Sequence, residues 1–190
     1  MPRAAPNLIL ALRDFARARQ GATAVEFAFI AGPLLMLIFG ILELALVFMM
    51  STALESATTD VARTIRTGEM QTSGAASKEN FAAAVCDRMS WLGPSCDGNL
   101  KVSVQTYTDF TSLRDSPSMG GGGFDEDKAC WSPGGPTDIV LVRTYYSWQI
   151  FTPLISNALV NSDGDKRLLT AVDAFRNEPY SDQAPTGAGC

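Results

Sequence analysis

The chain has 190 residues, 46% of them hydrophobic and 18% charged, a composition that suits a folded protein and argues against disorder. The first 21 residues carry +3 and the whole chain −5, so the remainder carries −8. An acidic body has no surface to neutralise phosphates, which argues against binding to nucleic acid. Histidine is absent. The chain therefore lacks the commonest general base and metal ligand, and we expect no enzyme, no metal and no cofactor.

A long apolar segment follows the basic head of the chain. Residues 27–50 contain a single charge, Glu43. As a helix this segment would be about 36 Å long, enough to cross a hydrocarbon core of about 30 Å. A core helix of a soluble domain is the alternative, but no polar face is available to meet water. A cleaved secretory signal is another alternative, and the run is too long and begins too late for one.

The charges that flank this segment predict its orientation. Arg13, Arg17 and Arg19 precede it, whereas acidic and basic residues are mixed after it. The positive-inside rule therefore places the N-terminus in the cytoplasm and the residues from about 51 onward on the other side of the membrane.

Two carboxylates border the uncharged run. Glu43 is explained as a residue near the outer interface whose carboxylate reaches water. Glu26 has no such explanation, and an ionisable residue within a membrane helix is by default a functional candidate. Between them, Gly32 and Pro33 mark a helix hinge, because proline removes one backbone hydrogen bond.

A recognisable sequence surrounds Glu26. RQGATAVEFA begins at Arg19, GPLL follows at Gly32, and FGILE follows at Phe39. This pattern resembles the TadE-like family, the minor pseudopilins of tight-adherence (Flp-type) pilus systems, over about residues 17–66. The sequence RNEP at residues 176–179 is a weaker echo of the family. Major Flp-type pilins have tyrosine where this chain has Phe27 and are far shorter, so the resemblance favours a minor pseudopilin.

The resemblance implies specific roles for residues at the head of the helix. A prepilin peptidase would cut between Gly21 and Ala22 and release residues 1–21 as a leader. Glu26, followed by Phe27, would then set the register of assembly by pairing with the terminal amine of a neighbouring subunit. A side chain at position 21 would obstruct the protease, which agrees with glycine there.

The resemblance also implies partners and a location. The partners are prepilin peptidase, other minor pseudopilins, the major Flp-type pilin, the inner-membrane assembly platform and the lipid bilayer. The location is the bacterial inner membrane, crossed once, with the C-terminal domain in the periplasm or carried into the pilus at the cell surface. A single-pass anchored binding module or adhesin is the alternative function, and it would leave Glu26 without a role.

The remainder of the chain predicts a small domain. Apolar residues at spacings of three and four extend the membrane helix to Gly68, and Ser77 caps a second, short helix. Three strands follow at 100–110, 138–150 and 166–175, with a short helix at 152–160 before the last. The predicted fold is α+β, with a long N-terminal helix on a small antiparallel sheet as in type IV pilins. The predicted divisions are 1–21 (leader), 22–50 (membrane and assembly helix) and 51–190 (outer domain, with a flexible loop at 111–136).

The four cysteines are predicted to form disulfides, because their spacing matches no zinc site and they lie outside the membrane. Cys86 and Cys96 flank a turn and form the easier bridge. That pairing leaves Cys130 for Cys190, although four cysteines allow three arrangements.

Overall fold

The computed structural model describes residues 21–92, 95–115, 129–152, 156–162 and 164–180. The chain divides into two compact units, one that ends at Leu42 and one that begins at Glu43. Its helices are α1 (Ala22–Arg66), α2 (Glu69–Thr72), α3 (Lys78–Arg88), α4 (Ser95–Asn99) and α5 (Ser156–Leu159). Its strands are β1 (Leu100–Tyr107), β2 (Ile139–Gln149) and β3 (Lys166–Arg176), and 3₁₀ turns occur at Ser90–Leu92 and Ser112–Asp115.

The end of α1 depends on a glycine. The backbone of Gly68 has a φ of 76°, which side-chain-bearing residues rarely adopt, and its N–H donates to the carbonyl oxygen of Ile65. The ring of Tyr180 lies where a Cβ at this position would stand. Glycine is therefore required both by the turn and by the close approach of Tyr180.

The three strands form an antiparallel sheet in the order β1-β2-β3. Val102, Thr144 and Ala171 lie side by side across it, so alternate residues of each strand face the same side. That side and the outer part of α1 bury a common hydrophobic core together with α3. Its members include Met50, Leu54, Ala57, Val61, Ile65, Phe81, Val85, Val102, Val104, Val140, Val142 and Leu169. The predicted α+β fold, a long helix on a small antiparallel sheet, is confirmed.

One polar contact crosses this core. The hydroxyls of Thr58 in α1 and Thr144 in β2 are both buried and lie 2.6 Å apart, at hydrogen-bond distance. A buried hydroxyl is tolerated only when it is paired. The pair therefore fixes the position of the helix along the central strand.

The last part of the segment predicted to be a flexible loop is bound to the sheet. Residues 130–132 run along the edge of β1, where the Val104 N–H donates to the Cys130 carbonyl and the Ser132 N–H donates to the Val104 carbonyl. These bonds cover backbone groups that an edge strand otherwise leaves open. Residues 116–128 of the predicted loop lie outside the described residues.

Local polar contacts explain where the structure departs from the predicted elements. β1 ends at Tyr107 rather than Phe110, because the Asp109 carboxylate turns the chain by accepting from the Thr111 hydroxyl and the Ser112 N–H. The same bonds, that of Thr111 first, lower the pKa of Asp109. The short helices α2 and α4 were not predicted. The predicted helix at 152–160 is confined among the described residues to α5.

A disulfide joins Cys86 in α3 to Cys96 in α4, which confirms the first predicted bridge. It closes the segment that contains Trp91 and fixes α4 against α3. Cys190, the predicted partner of Cys130, lies outside the described residues, so the second bridge stays a prediction.

Candidate assembly site at the head of the helix

The predicted cleavage position coincides with the start of α1. Ala22 is the first residue of the α-helix, and the exposed Gly21 precedes it. Among the described residues, no heavy atom lies within 4 Å of the place where a Cβ of Gly21 would stand. Packing within the described chain therefore does not require glycine at position 21. The glycine is compatible with a requirement set by another molecule, such as a protease.

Glu26 lies on the surface of α1, four residues after Ala22. This spacing places the two residues on the same side of the helix, about one turn apart. The Glu26 carboxylate forms no hydrogen bond or ion pair with any of the residues that the structure describes. Phe27, beside it, is 73% exposed. The carboxylate and the neighbouring ring are thus both available to another molecule.

Apolar side chains surround Glu26 and continue along the helix to Leu42. Those that are exposed include Val25, Phe29, Ile30, Leu34, Leu35, Leu37, Phe39, Ile41 and Leu42. So continuous an apolar surface is typical of contact with lipid or with other helices. A concavity of about 400 Å³ lies on the surface of this part of the helix and is lined by Ala24, Val25, Ala28 and Phe29.

The helix passes unbroken through Gly32 and Pro33. Their role as a hinge therefore stays a prediction. In the described residues, α1 provides the one helix long and apolar enough to cross a membrane, and 22% of its most apolar stretch is buried within the protein. A core helix of a soluble domain would be mostly buried, so the chain is consistent with a single-pass membrane protein.

Glu43 has a different environment from the one expected. It is only 3% exposed, so the interpretation of its carboxylate as reaching water is wrong. The Thr152 hydroxyl donates to it at 3.0 Å and the Phe151 N–H lies 3.3 Å from both of its oxygens. The carboxylate therefore connects α1 to the segment that follows β2. It lies in the outer unit, whose first residue it is.

Replacing Glu43 by alanine should destabilise the outer unit by about 1–3 kcal/mol, because the Phe151 N–H and the Thr152 hydroxyl lose their acceptor. Glu43→Gln keeps one acceptor oxygen and should cost less. Urea unfolding of the detergent-solubilised chain measures both, with Glu55→Ala, an exposed position of the same helix, as the control. Equal stabilities of Glu43→Ala and Glu55→Ala would contradict the role assigned to Glu43.

The RNEP sequence at residues 176–179 connects several parts of the outer unit. Asn177 is buried, and its side-chain amide donates to the carbonyl oxygens of Pro133 and Gly135. The backbone N–H of Glu178 donates to the carbonyl oxygen of Arg66, the last residue of α1. This segment therefore holds the end of the helix and a loop of the sheet together, which is a structural role.

An aromatic cavity, not predicted from the sequence, lies at the end of β2. Its aromatic lining is Trp91, Tyr146, Trp148 and Phe151, its polar lining is Asn99, Ser147, Gln149 and Lys166, and its volume is about 500 Å³. The rings of Trp148 and Phe151 meet edge to face at 6.0 Å. Burial raises the pKa of Tyr146, so its hydroxyl stays neutral at physiological pH. Tyr146 to Gln149 are consecutive residues of β2, whereas Trp91, Asn99 and Lys166 come from other elements, so no local sequence pattern predicts the cavity.

The described part of the chain contains no group of three or more metal-ligating side chains that could hold an ion. The sequence predicted no catalytic residues, and that expectation stays a prediction.

Comparison with known proteins agrees with the resemblance seen at the head of the chain. Residues 21–63 match the family model described as TadE-like protein, which confirms that resemblance. The match begins at Gly21, includes Glu26 and Glu43, and ends within α1, before the sheet. No curated protein and no solved structure matches the chain.

Proposed function

We propose that this chain is a minor pseudopilin that is processed after Gly21 and assembles through the N-terminal part of α1. The proposal starts from residues 21–63, which are TadE-like and consistent with membership of the Tad pilus system. Glu26 is the observation that supports this proposal best. It is a carboxylate without a partner among the described residues, on a helix surface that is otherwise apolar. An anchor alone gives no reason for an acid at this position.

Processing would supply the partner that Glu26 lacks. Cleavage after Gly21 creates an α-amino group on Ala22, which is positively charged at neutral pH. Burying this amine and a carboxylate separately in apolar surroundings is costly, whereas burying them as a pair offsets much of the cost. Pairing between neighbouring subunits therefore fixes their axial register.

The helix head offers a second surface for a neighbouring helix. Ala24 and Ala28 each lie two residues from Glu26, about 200° around the helix, and the concavity that they line with Val25 and Phe29 is therefore turned away from the carboxylate without lying directly opposite it. Small side chains at this spacing let two membrane helices approach closely. A subunit with contacts on two sides can stand between neighbours, as a member of a filament or of its initiating complex must.

The location and the partners are proposed from the charges that flank the apolar segment and from the TadE-like match. The leader lies in the cytoplasm, α1 crosses the inner membrane, and the outer unit lies in the periplasm or on the pilus. Prepilin peptidase, other minor pseudopilins, the major Flp-type pilin and the assembly platform are the proposed partners. The protein acts through assembly and not through catalysis.

Deletion of this chain from its host should abolish tight-adherence pili, and the wild-type chain supplied in trans should restore them. Electron microscopy and the amount of major pilin sheared from the cells measure the effect. Normal piliation of the deletion strain would instead favour an anchored outer binding module, the alternative function.

A further inference from the structure

We propose that the end of the outer unit that carries the aromatic cavity docks onto the outer surface of the lipid bilayer, with Phe151 and Trp91 among the lipids and Lys166 facing their phosphates. This inference rests on the membrane anchor of the proposed function. It adds that the domain is held against the membrane and not only tethered to it.

The first two turns of α1 in the outer unit have one buried side and one exposed, apolar side. Glu43, Val47 and Met50 face the domain and are buried. On the other side Phe48 is 70% exposed, and Leu44, Leu46 and Met49 are also exposed. A helix anchored in a membrane places such a face in lipid, because water would otherwise meet a continuous apolar surface. The lipid boundary therefore extends past Glu43 on this side of the helix.

The contact of Glu43 with Phe151 gives the level of the aromatic cavity. Because the Phe151 N–H lies at hydrogen-bond distance from the Glu43 carboxylate, Phe151 stands beside that residue. Phe48 lies five residues beyond Glu43 towards the outer end of the helix, about 7.5 Å along the helix axis. If lipid reaches Phe48, it also reaches the level of Phe151.

The exposed groups around the cavity have the chemistry of a membrane interface. Trp91 is 52% exposed, and tryptophan is enriched where hydrocarbon meets headgroups, while Phe151, 68% exposed, is an apolar ring suited to the acyl side of that boundary. Lys166, on the same cavity, carries an ammonium on a flexible apolar stem, so it can reach a phosphate while its stem remains among the rings. The Cys86–Cys96 disulfide closes the segment that presents Trp91 and limits its movement.

Fluorescence quenching of the full-length chain in phospholipid vesicles tests the proposal. The vesicles contain phosphatidylethanolamine and phosphatidylglycerol, with or without bromine on the acyl chains, and acrylamide serves as the quencher from water. The chain has three tryptophans. Trp131, measured as the difference between the wild type and Trp131→Phe, is the reference, because its ring packs on Phe81 and its indole N–H donates to the carbonyl oxygen of Ala76.

We expect brominated lipid to quench Trp91 at least about twice as strongly as Trp131. The signal of Trp91 is measured as the difference between the wild type and Trp91→Phe. Acrylamide should quench Trp91 weakly, and Phe151→Ser should reduce the quenching by lipid. Strong quenching of Trp91 by acrylamide together with weak quenching by lipid would overturn the proposal. Weak quenching by both would also overturn it, in favour of a protein covering the cavity.

Phe39→Trp separates docking from anchoring. Phe39 lies in the apolar stretch of α1, and its substitution adds a tryptophan that brominated lipid should quench if the helix spans the bilayer. Quenching at position 39 without quenching of Trp91 would reject docking and keep the anchor. Absence of quenching at both positions would reject the anchor on which the proposed function depends.

Discussion

Cells that carry Glu26→Ala are expected to process the chain normally and yet to lose most of their surface pili. The proposed cleavage position, after Gly21, lies five residues before the substitution, so we expect cleavage to need no carboxylate at position 26. Assembly would bury the amine of Ala22 without its counter-charge, which costs about 3–5 kcal/mol when one partner of a buried pair is removed. A cost of that size lowers an association constant by more than a hundredfold, by about tenfold for each 1.4 kcal/mol.

The same experiment includes controls for charge and for position. Glu26→Gln keeps the shape and removes the charge, so it should fail as alanine does, whereas Glu26→Asp should retain part of the function. Glu55→Ala removes an exposed carboxylate from the outer part of the same helix and should leave piliation unchanged. Normal piliation with Glu26→Ala would show that the pairing of amine and carboxylate is not needed.

Phe81→Ala should destabilise the outer unit by about 3–5 kcal/mol, as for a large aromatic residue removed from a packed core. Phe81 is completely buried at the centre of the core, and its ring lies 5.9 Å from that of Trp131. It packs α3 against the sheet and supports the segment along the edge of β1. Its loss therefore leaves a cavity between two parts of the domain.

Urea unfolding followed by tryptophan fluorescence measures this loss, because Trp131 reports directly on the site. Phe110→Ala removes the same ring from an exposed position and should change stability by no more than about 0.5 kcal/mol. A cost at Phe81 as small as that at Phe110 would mean that the core described around α3 does not contribute to folding.

The regular elements of the domain could be predicted because each has a local signal. Alternation of Leu100, Val102 and Val104 with polar residues gives a strand with one buried face, and the spacing of Leu54, Ala57 and Val61 gives a helical stripe. Ser77 accepts from the N–H of Asn80 as the cap of α3, as its position before a helical run predicts.

The environment of Glu43 could not be predicted, because it is set by residues more than a hundred positions away. In the hydropathy pattern, Glu43 is a charge near the end of an apolar run. The least costly arrangement for such a charge is one in which the carboxylate reaches water. The structure instead supplies the Phe151 N–H and the Thr152 hydroxyl as donors. Burial of the carboxylate became favourable only when the tertiary fold brought those donors to it.

The candidate site at the head of the helix is the opposite case. Glu26 was singled out from the sequence as an acid at the edge of an apolar run and Gly21 through the TadE-like resemblance, and the roles of both stay predictions. The geometry adds that Ala22 begins the helix and that Glu26 has no partner within the described chain. The aromatic cavity had no comparable signal in the sequence. Trp91 and Phe151 are sixty residues apart, and the disulfide-closed turn and the end of β2 bring them to the same cavity.

The mature N-terminus of the chain in its host membrane is the most direct test of the proposed function. Mass spectrometry of the membrane-extracted protein should find Ala22 as the first residue, with residues 1–21 removed. A chain that begins at Met1 or Pro2 in cells that possess prepilin peptidase would contradict processing, and with it the pairing proposed for Glu26.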